Sequence, residues 1–217
     1  MALAIFDLDN TLIAGDSDHG WGVFLADRGV VDGEQYREMN EKFYQDYQRG
    51  ELDILDYLAF ALQPLARLAR EELVQLHREF MIQVIEPMWL PKAVQLVQKH
   101  REQGDQLMVI TSTNRFIVEP ICHKFGIHEV IATELEISED RYTGRVAGIP
   151  AYREGKVTRL SAWLEAHQES LEGSTFYSDS INDQPLLERV DHPVAVDPDP
   201  ALAELARARG WPEISLR

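Results

Sequence analysis

Asp7 and Asp9 in the run Asp7-Leu8-Asp9-Asn10-Thr11, and Asp179 and Asp183 in Asp179-Ser180-Ile181-Asn182-Asp183, are residues whose types and spacing suit chemistry. Acids gathered in one crevice repel each other and hold their protons more tightly unless a cation offsets them. A hard ion with oxygen ligands fits such a set, Mg²⁺ above all, because it takes a few carboxylate or carbonyl oxygens and completes its shell with water and phosphate. Thr111, followed by Ser112 and Thr113, offers a hydroxyl and backbone N–H groups for phosphoryl oxygens at a helix N-terminus. Lys156, just ahead of a helical pattern, offers a positive charge. Positioning and charge neutralisation are most of what phosphoryl transfer requires. In that chemistry Asp7 is the nucleophile that accepts the phosphoryl group. Asp9, past the strand end where the chain turns, is the acid for the leaving oxygen and then the base for water.

The elements that must position these groups follow from hydrophobic periodicity. Leu3 to Phe6 is an unbroken apolar run, which predicts a strand covered on both faces. From Ser17 to about His100 the pattern is helical. Tyr36, Met39, Phe43, Tyr44 and Tyr47 share one helical face, expected to be packing rather than a ligand platform, and Leu55, Leu58, Ala59 and Leu62 share another after the N-cap candidate Asp53. Strand and helix then alternate. Strands are expected at 107–110, 130–132, 175–177 and 194–196, with helices over 116–125, 156–167, from 183 and over 200–209, and a small hairpin within 135–148. Strands separated by helices predict an α/β fold, a Rossmann-like parallel sheet with an inserted helical unit. Ligands of such sheets bind beyond the carboxyl ends of the strands, which is where all the residues above fall.

Composition narrows the function classes. The 217 residues carry 21 Lys+Arg against 37 Asp+Glu, a net charge of −16, with no basic run, so a nucleic-acid partner is not expected. An anionic substrate is still compatible with that charge, because only charge within a Debye length of roughly 8 Å counts and a metal with one lysine reverses the local sign. Cys122, the single cysteine, excludes a disulfide framework and a multi-cysteine zinc site and is expected to be a packed thiol. Neither a leader sequence nor an apolar stretch of ~20 residues is visible, which predicts a chain of the cytoplasm with no membrane partner. The histidines show no metal-ligand spacing and are expected at the surface or in caps. Gly155-Lys156 lacks the earlier glycine and the following Ser or Thr of a nucleotide-binding P-loop.

The four ordered motifs, Asp7-Leu8-Asp9-Asn10-Thr11, Thr111, Lys156 and Asp179 to Asp183, resemble those of the haloacid dehalogenase superfamily, end to end along the chain. The insert resembles the type-one cap of the branch that includes phosphoserine phosphatases. The resemblance implies a HAD-like core of residues 1–15 and 91–217 and a helical cap of residues 16–90. It implies Mg²⁺ held by Asp7, the main-chain carbonyl of Asp9, and Asp179, with Thr11, Asn182 and Asp183 in support. It also implies hydrolysis of a small phosphomonoester, since relatives that cleave carbon–halogen bonds lack the second Asp. A receiver-type phospho-acceptor module, the non-enzyme rival, places its acid pair and its phosphorylated Asp differently and has no long insert.

For the substrate, the resemblance places Asp16 where an acid meets the substrate amine. The arginines that meet a substrate carboxylate would fall, counting from Gly50-Glu51-Leu52, at Ala59 and Ala61, where no guanidinium exists. An amine-bearing phosphate without a carboxylate and with an aromatic body fits better, and Asp16, Asp18, His19 and Trp21 offer acids and an aromatic for an imidazole. Taken with the overall resemblance to haloacid dehalogenase-type phosphatases of that substrate, histidinol phosphate is the expected substrate, with phosphoserine or another small amine-bearing phosphomonoester the alternative.

Overall fold

The computed structural model describes residues 2–217. In chain order the elements are β1 (Leu3–Phe6), α1 (Ser17–Asp27), α2 (Gly33–Gln48), α3 (Ile54–Ala61), α4 (Gln63–Arg67), α5 (Arg70–Phe80) and α6 (Pro91–Gln103). There follow β2 (Gln106–Asn114), α7 (Arg115–Lys124), β3 (Glu129–Thr133), β4 (Leu135–Ser138), β5 (Arg141–Val146), α8 (Glu154–His167), β6 (Thr175–Ser178), α9 (Gln184–Leu187), β7 (His192–Val196), α10 (Pro200–Arg209) and β8 (Glu213–Ile214).

Six strands form one parallel sheet in the order β3-β2-β1-β6-β7-β8, and β4 and β5 form a separate antiparallel pair. The unbroken apolar run of β1 is explained by its central place. Leu3 and Ile5 face one apolar cluster with Met108, Ile110, Phe176, Leu160, Leu186 and Leu202. Ala4 and Phe6 face the other with Val109, Val97, Ile117, Trp21 and Phe80. Alternate residues of one strand thus bury into opposite layers. At about 1.5–3 kcal/mol for each large apolar side chain, this burial dominates what holds the sheet together. The connection order reverses at β1, with β2 on one side and β6 on the other. That switch opens a crevice at the carboxyl ends of these three strands.

Several local expectations change. The strand expected at 107–110 continues through Asn114, because Thr111 and Thr113 remain extended and buried, with a register shift against β3 between Ile110 and Asn114. Asn114, not Thr111, caps the following helix, accepting from the Ile117 N–H at 3.3 Å. Ser112 and Thr113 therefore lie in the strand rather than in the first turn of a helix. His77 and His100 are buried, not superficial. His77 Nε2 lies 2.9 Å from the Ile117 carbonyl, and His100 sits between Asp105 at 2.7 Å and the Tyr177 hydroxyl at 2.8 Å, so backbone and neighbouring polar groups satisfy both rings. Cys122 is fully buried in the apolar cluster.

Candidate active site

Asp7 directly follows β1, and its N–H donates to the Tyr177 carbonyl of β6 at 2.9 Å, so the sheet ladder itself fixes where it stands. The chain then coils tightly: the N–H groups of Thr11, Leu12 and Ile13 all donate to the Leu8 carbonyl, and Asn10 takes a left-handed φ of 56°, which Asn tolerates. This turn separates Asp7 from Asp9 although only one residue intervenes.

Lys156 lies under Asp7. Its Nζ is 2.7 Å from Asp7 Oδ1 and 2.7 Å and 2.8 Å from the two oxygens of Asp183. Asp183 also accepts from the Ser178 hydroxyl at 2.7 Å. Burial pushes the Asp7 carboxyl up to about 7; Lys156 opposes this, while Asp183 and Asp9 add to it. Burial works to lower the Lys156 ammonium, but Asp183 and Asp7 outweigh it and hold the group above its ordinary value. The lysine is thus charged and leaves Asp7 one free carboxylate oxygen.

A glycine places that lysine. A Cβ on Gly155 would stand 2.0 Å from the Pro150 carbonyl oxygen, a clash with main chain that only backbone movement relieves. Gly155→Ala is expected to cost about 1–3 kcal/mol of stability and to lower kcat/KM at least roughly tenfold by shifting Lys156. Thermal unfolding and steady-state kinetics on the same preparation check both.

Asp9 is gripped from two sides. The Ser17 N–H donates to its Oδ1 at 2.6 Å and the Thr113 hydroxyl to its Oδ2 at 2.9 Å, while the Thr111 hydroxyl is a distant 3.5 Å away and accepts from the Thr113 N–H. Burial, aided by Asp16 and opposed by the bonds from Ser17 and Thr113, brings the carboxyl to about 7. Thr113 is the contact that motif reading underrates; its signal was strand period, which puts residues 111 and 113 on the same face.

Asp179 accepts from the Thr11 hydroxyl at 3.0 Å, and burial with the nearby Asp7 raises its carboxyl well above the usual range. Its loop is tied to α10, whose N-cap Asp199 donates its N–H to the Asp179 carbonyl at 2.8 Å and accepts from the Ile181 N–H at 2.7 Å. Among the described residues no three His, Cys, Asp or Glu side chains converge on a metal position. Asp183 is turned to Lys156. Two carboxylates remain, Asp7 and Asp179, and the Asp9 carbonyl accepts no hydrogen bond among the described residues. An all-oxygen set of two carboxylates and a free carbonyl is what a hard cation that keeps several waters accepts.

Above this crevice lies a cavity lined by Asp16, Asp18, His19, Asn40, Phe43, Tyr44, Tyr47, Leu52, Ile54, Tyr57, Ser112 and Thr113. It contains no Lys or Arg. Asp16 also caps α1, accepting from the His19 N–H at 2.8 Å. Burial brings Asp16 and Asp18 each to about 7, and hydrogen bonding from Tyr57 works against this for Asp18. His19 is engaged by Glu41 at 3.2 Å and stacked on Tyr44.

Two expectations about aromatics are corrected here. Trp21 does not reach the cavity: it is 2% exposed and packs against Phe24, Phe80 and Phe116, and Gly20 beside it lets Val84 and Phe80 come close to α1. The aromatic face of α2 does pack, with Tyr36 on Phe60 and Phe43 on Tyr57 and Phe60, but it is not packing alone. Only Asn40 of that helix is buried, and Phe43, Tyr44 and Tyr47 line the cavity.

A family model described as haloacid dehalogenase-like hydrolase matches residues 4–188. The chain is 52% identical to a histidinol-phosphatase of Neisseria meningitidis over 99% of both chains. It is 31% identical to a phosphoserine phosphatase of Mycobacterium tuberculosis, over 97% of this chain and 69% of that one. Among solved structures, a Bordetella pertussis protein of unknown function superposes with a TM-score of 0.94 at 44% identity, covering 100% and 99% of the two chains. A substrate-bound phosphoserine phosphatase shares the fold with a TM-score of 0.74 at 18% identity, over 100% and 93%. With the ordered motifs converging at the end of a parallel sheet and a family match spanning most of its length, this chain belongs to the haloacid dehalogenase-like hydrolases.

Proposed function

We propose that this protein is a Mg²⁺-dependent phosphatase that hydrolyses histidinol phosphate through an aspartyl-phosphate intermediate on Asp7, with residues 16–90 acting as a cap over a core of residues 1–15 and 91–217. The observation that carries the substrate reading is the cavity, which sets two desolvated carboxylates among aromatic walls with no Lys or Arg in its lining. A carboxylate-bearing substrate finds no guanidinium or ammonium there, and burying a charge without a partner charge is costly. A cationic amine and a flat imidazole find Asp16, Asp18 and the rings of Phe43, Tyr44 and Tyr57. The high identity to the Neisseria histidinol-phosphatase supports the same reading.

The mechanism follows from the chain's own groups. The free oxygen of Asp7 attacks phosphorus while Lys156 holds the other. Asp9, held by Ser17 and Thr113 and close to neutrality in its proton affinity, donates a proton to the leaving alkoxide and then takes one from the water that cleaves the phosphoenzyme. Thr111, Ser112 and Lys156 flank the position of the phosphoryl group. Asp7, the Asp9 carbonyl and Asp179 would hold Mg²⁺, which when bound neutralises charge on the phosphate. Thr11 fixes Asp179, and Asp183 fixes Lys156. The setting we propose is the cytoplasm, consistent with a chain in which no helix among the described residues is long and apolar enough to cross a membrane.

The test is kcat/KM for L-histidinol phosphate, L-phosphoserine and phosphoethanolamine with Mg²⁺. Histidinol phosphate is expected to lead phosphoserine by at least roughly a hundredfold, the penalty of one unpaired buried charge. Equal values, or phosphoserine ahead, would remove the substrate assignment and leave the chemistry standing.

A further inference from the structure

The cavity beneath the helical insert leaves only about 30 Å³ of water-accessible space, room for a few waters. A bulkier ligand enters more readily if a wall gives, and the packing shows which wall is held least to the rest of the protein. Helix α2 forms one wall of the cavity, yet Asn40 is its only buried residue, and its ring contacts, Tyr36 on Phe60 and Phe43 on Tyr57 and Phe60, are with α3 of the same helical insert rather than with the sheet. Its carboxyl end is fastened by polar bonds instead. Asn182 Nδ2 donates to the Tyr47 carbonyl at 3.0 Å. The Arg153 guanidinium donates to the Gly50 carbonyl and, through Nε at 3.1 Å, to Asn182 Oδ1, which also accepts from the Tyr152 hydroxyl at 3.0 Å. The loop leading into α8, the helix that carries Lys156, and the loop that carries Asp179 and Asp183 thus hold the same short segment, 47–50.

Arg153 does this from a backbone that disfavours it. Its φ of 50° with ψ of −121° belongs to a region that side chains avoid and that glycine enters freely. Backbone preference alone would favour glycine here, so what is gained from arginine lies in the guanidinium. Gly50 matches it: φ is 68°, and a Cβ there would come within 3.3 Å of an Arg153 terminal nitrogen.

We propose that Arg153 is a positioning residue that latches the helical insert over the active site, its bonds to Gly50 and Asn182 parting to admit substrate and release product. The proposal takes the site to be the phosphatase centre described above. It requires that the latch weigh on closure and not on folding.

Arg153→Gly separates these two, because it removes the guanidinium and relieves the backbone at once. We expect a Tm at or above the parent value, amide hydrogen exchange at least tenfold faster across 44–52, and unchanged exchange in β1, β2 and β6. We expect kcat/KM to fall roughly ten- to a hundredfold, the range for losing a charged hydrogen bond. Arg153→Lys, which keeps a donor, should recover part of that loss. Unchanged exchange across 44–52, or unchanged kcat/KM, overturns the proposal. So does a clear fall in Tm with exchange faster everywhere, which makes Arg153 a residue of the fold. The exchange measurement needs no substrate, and the parent protein's own turnover of histidinol phosphate reports separately on the functional reading.

Discussion

Asp7→Asn is expected to lower kcat by roughly 10⁴-fold or more while leaving Tm unchanged or higher. The loss of turnover follows because an amide oxygen cannot form the acyl phosphate that a carboxylate forms. The stability half follows from the electrostatics. Burial, Asp183 and Asp9 raise the Asp7 carboxyl to about 7 despite the bond from Lys156, so the folded protein holds the charged form at a disadvantage. Removing one partner of a buried ion pair usually destabilises by about 3–5 kcal/mol, because the other charge is orphaned. Lys156 is not orphaned here, since both oxygens of Asp183 remain within 2.7–2.8 Å. The repulsion removed therefore offsets the attraction lost. Phosphate release and thermal unfolding measured together check this. Each kcal/mol corresponds to about 2–4 °C for a chain of this size, so a drop of 10 °C would show that the pair with Lys156 outweighs the repulsion.

The second large effect is a pH-dependent stabilisation by Mg²⁺. Asp7 and Asp9 have carboxyl values of about 7 when folded without metal, against about 3.9 in an unfolded chain, and Asp179 is also raised. A raised value means the folded state binds more protons over that interval. The stability it contributes is complete below about pH 4 and is lost as pH climbs through about 7. Mg²⁺ competes with those protons. At pH 5 it has protonated acids to displace and should shift Tm little, whereas at pH 8 a concentration near a hundred times Kd should raise Tm by roughly 5–10 °C. Asp179→Asn should remove most of that rise. Thermal unfolding at both pH values, with and without Mg²⁺, decides it; an equal shift at both, or a full shift in the variant, would reassign the ligands.

The parts of this architecture that were visible in the sequence are those written in local pattern. The apolar run 3–6 marks a strand that buries both faces, and four separated motifs point to the ends of successive strands; their convergence in space follows from the parallel topology alone. The parts that were hidden depend on tertiary contact. Trp21 looked like a ligand for an aromatic substrate, but its face of α1 turns into the core, where Phe80 and Phe116 close around it and Gly20 lets Val84 approach. The ring face of α2 looked like packing alone, because a helical stripe has the same period whether it meets neighbouring rings or a cavity, and here it does both. Asp199 and Arg153 lie outside every motif, and their roles arise from bonds to Ile181 and to Gly50, residues distant in the chain. Thr113 was within reach, since alternation along β2 places it beside Thr111.

The central claim is that Asp7 itself carries the phosphoryl group taken from histidinol phosphate. The protein turning over L-histidinol phosphate with Mg²⁺ can be quenched in acid and reduced with borohydride, which converts an aspartyl phosphate to homoserine, and the peptides then read by mass spectrometry. Homoserine at position 7, formed only with substrate and absent from Asp7→Asn, is the predicted result. Homoserine at another aspartate, or rapid turnover with no reducible phosphoenzyme at any position, would contradict it.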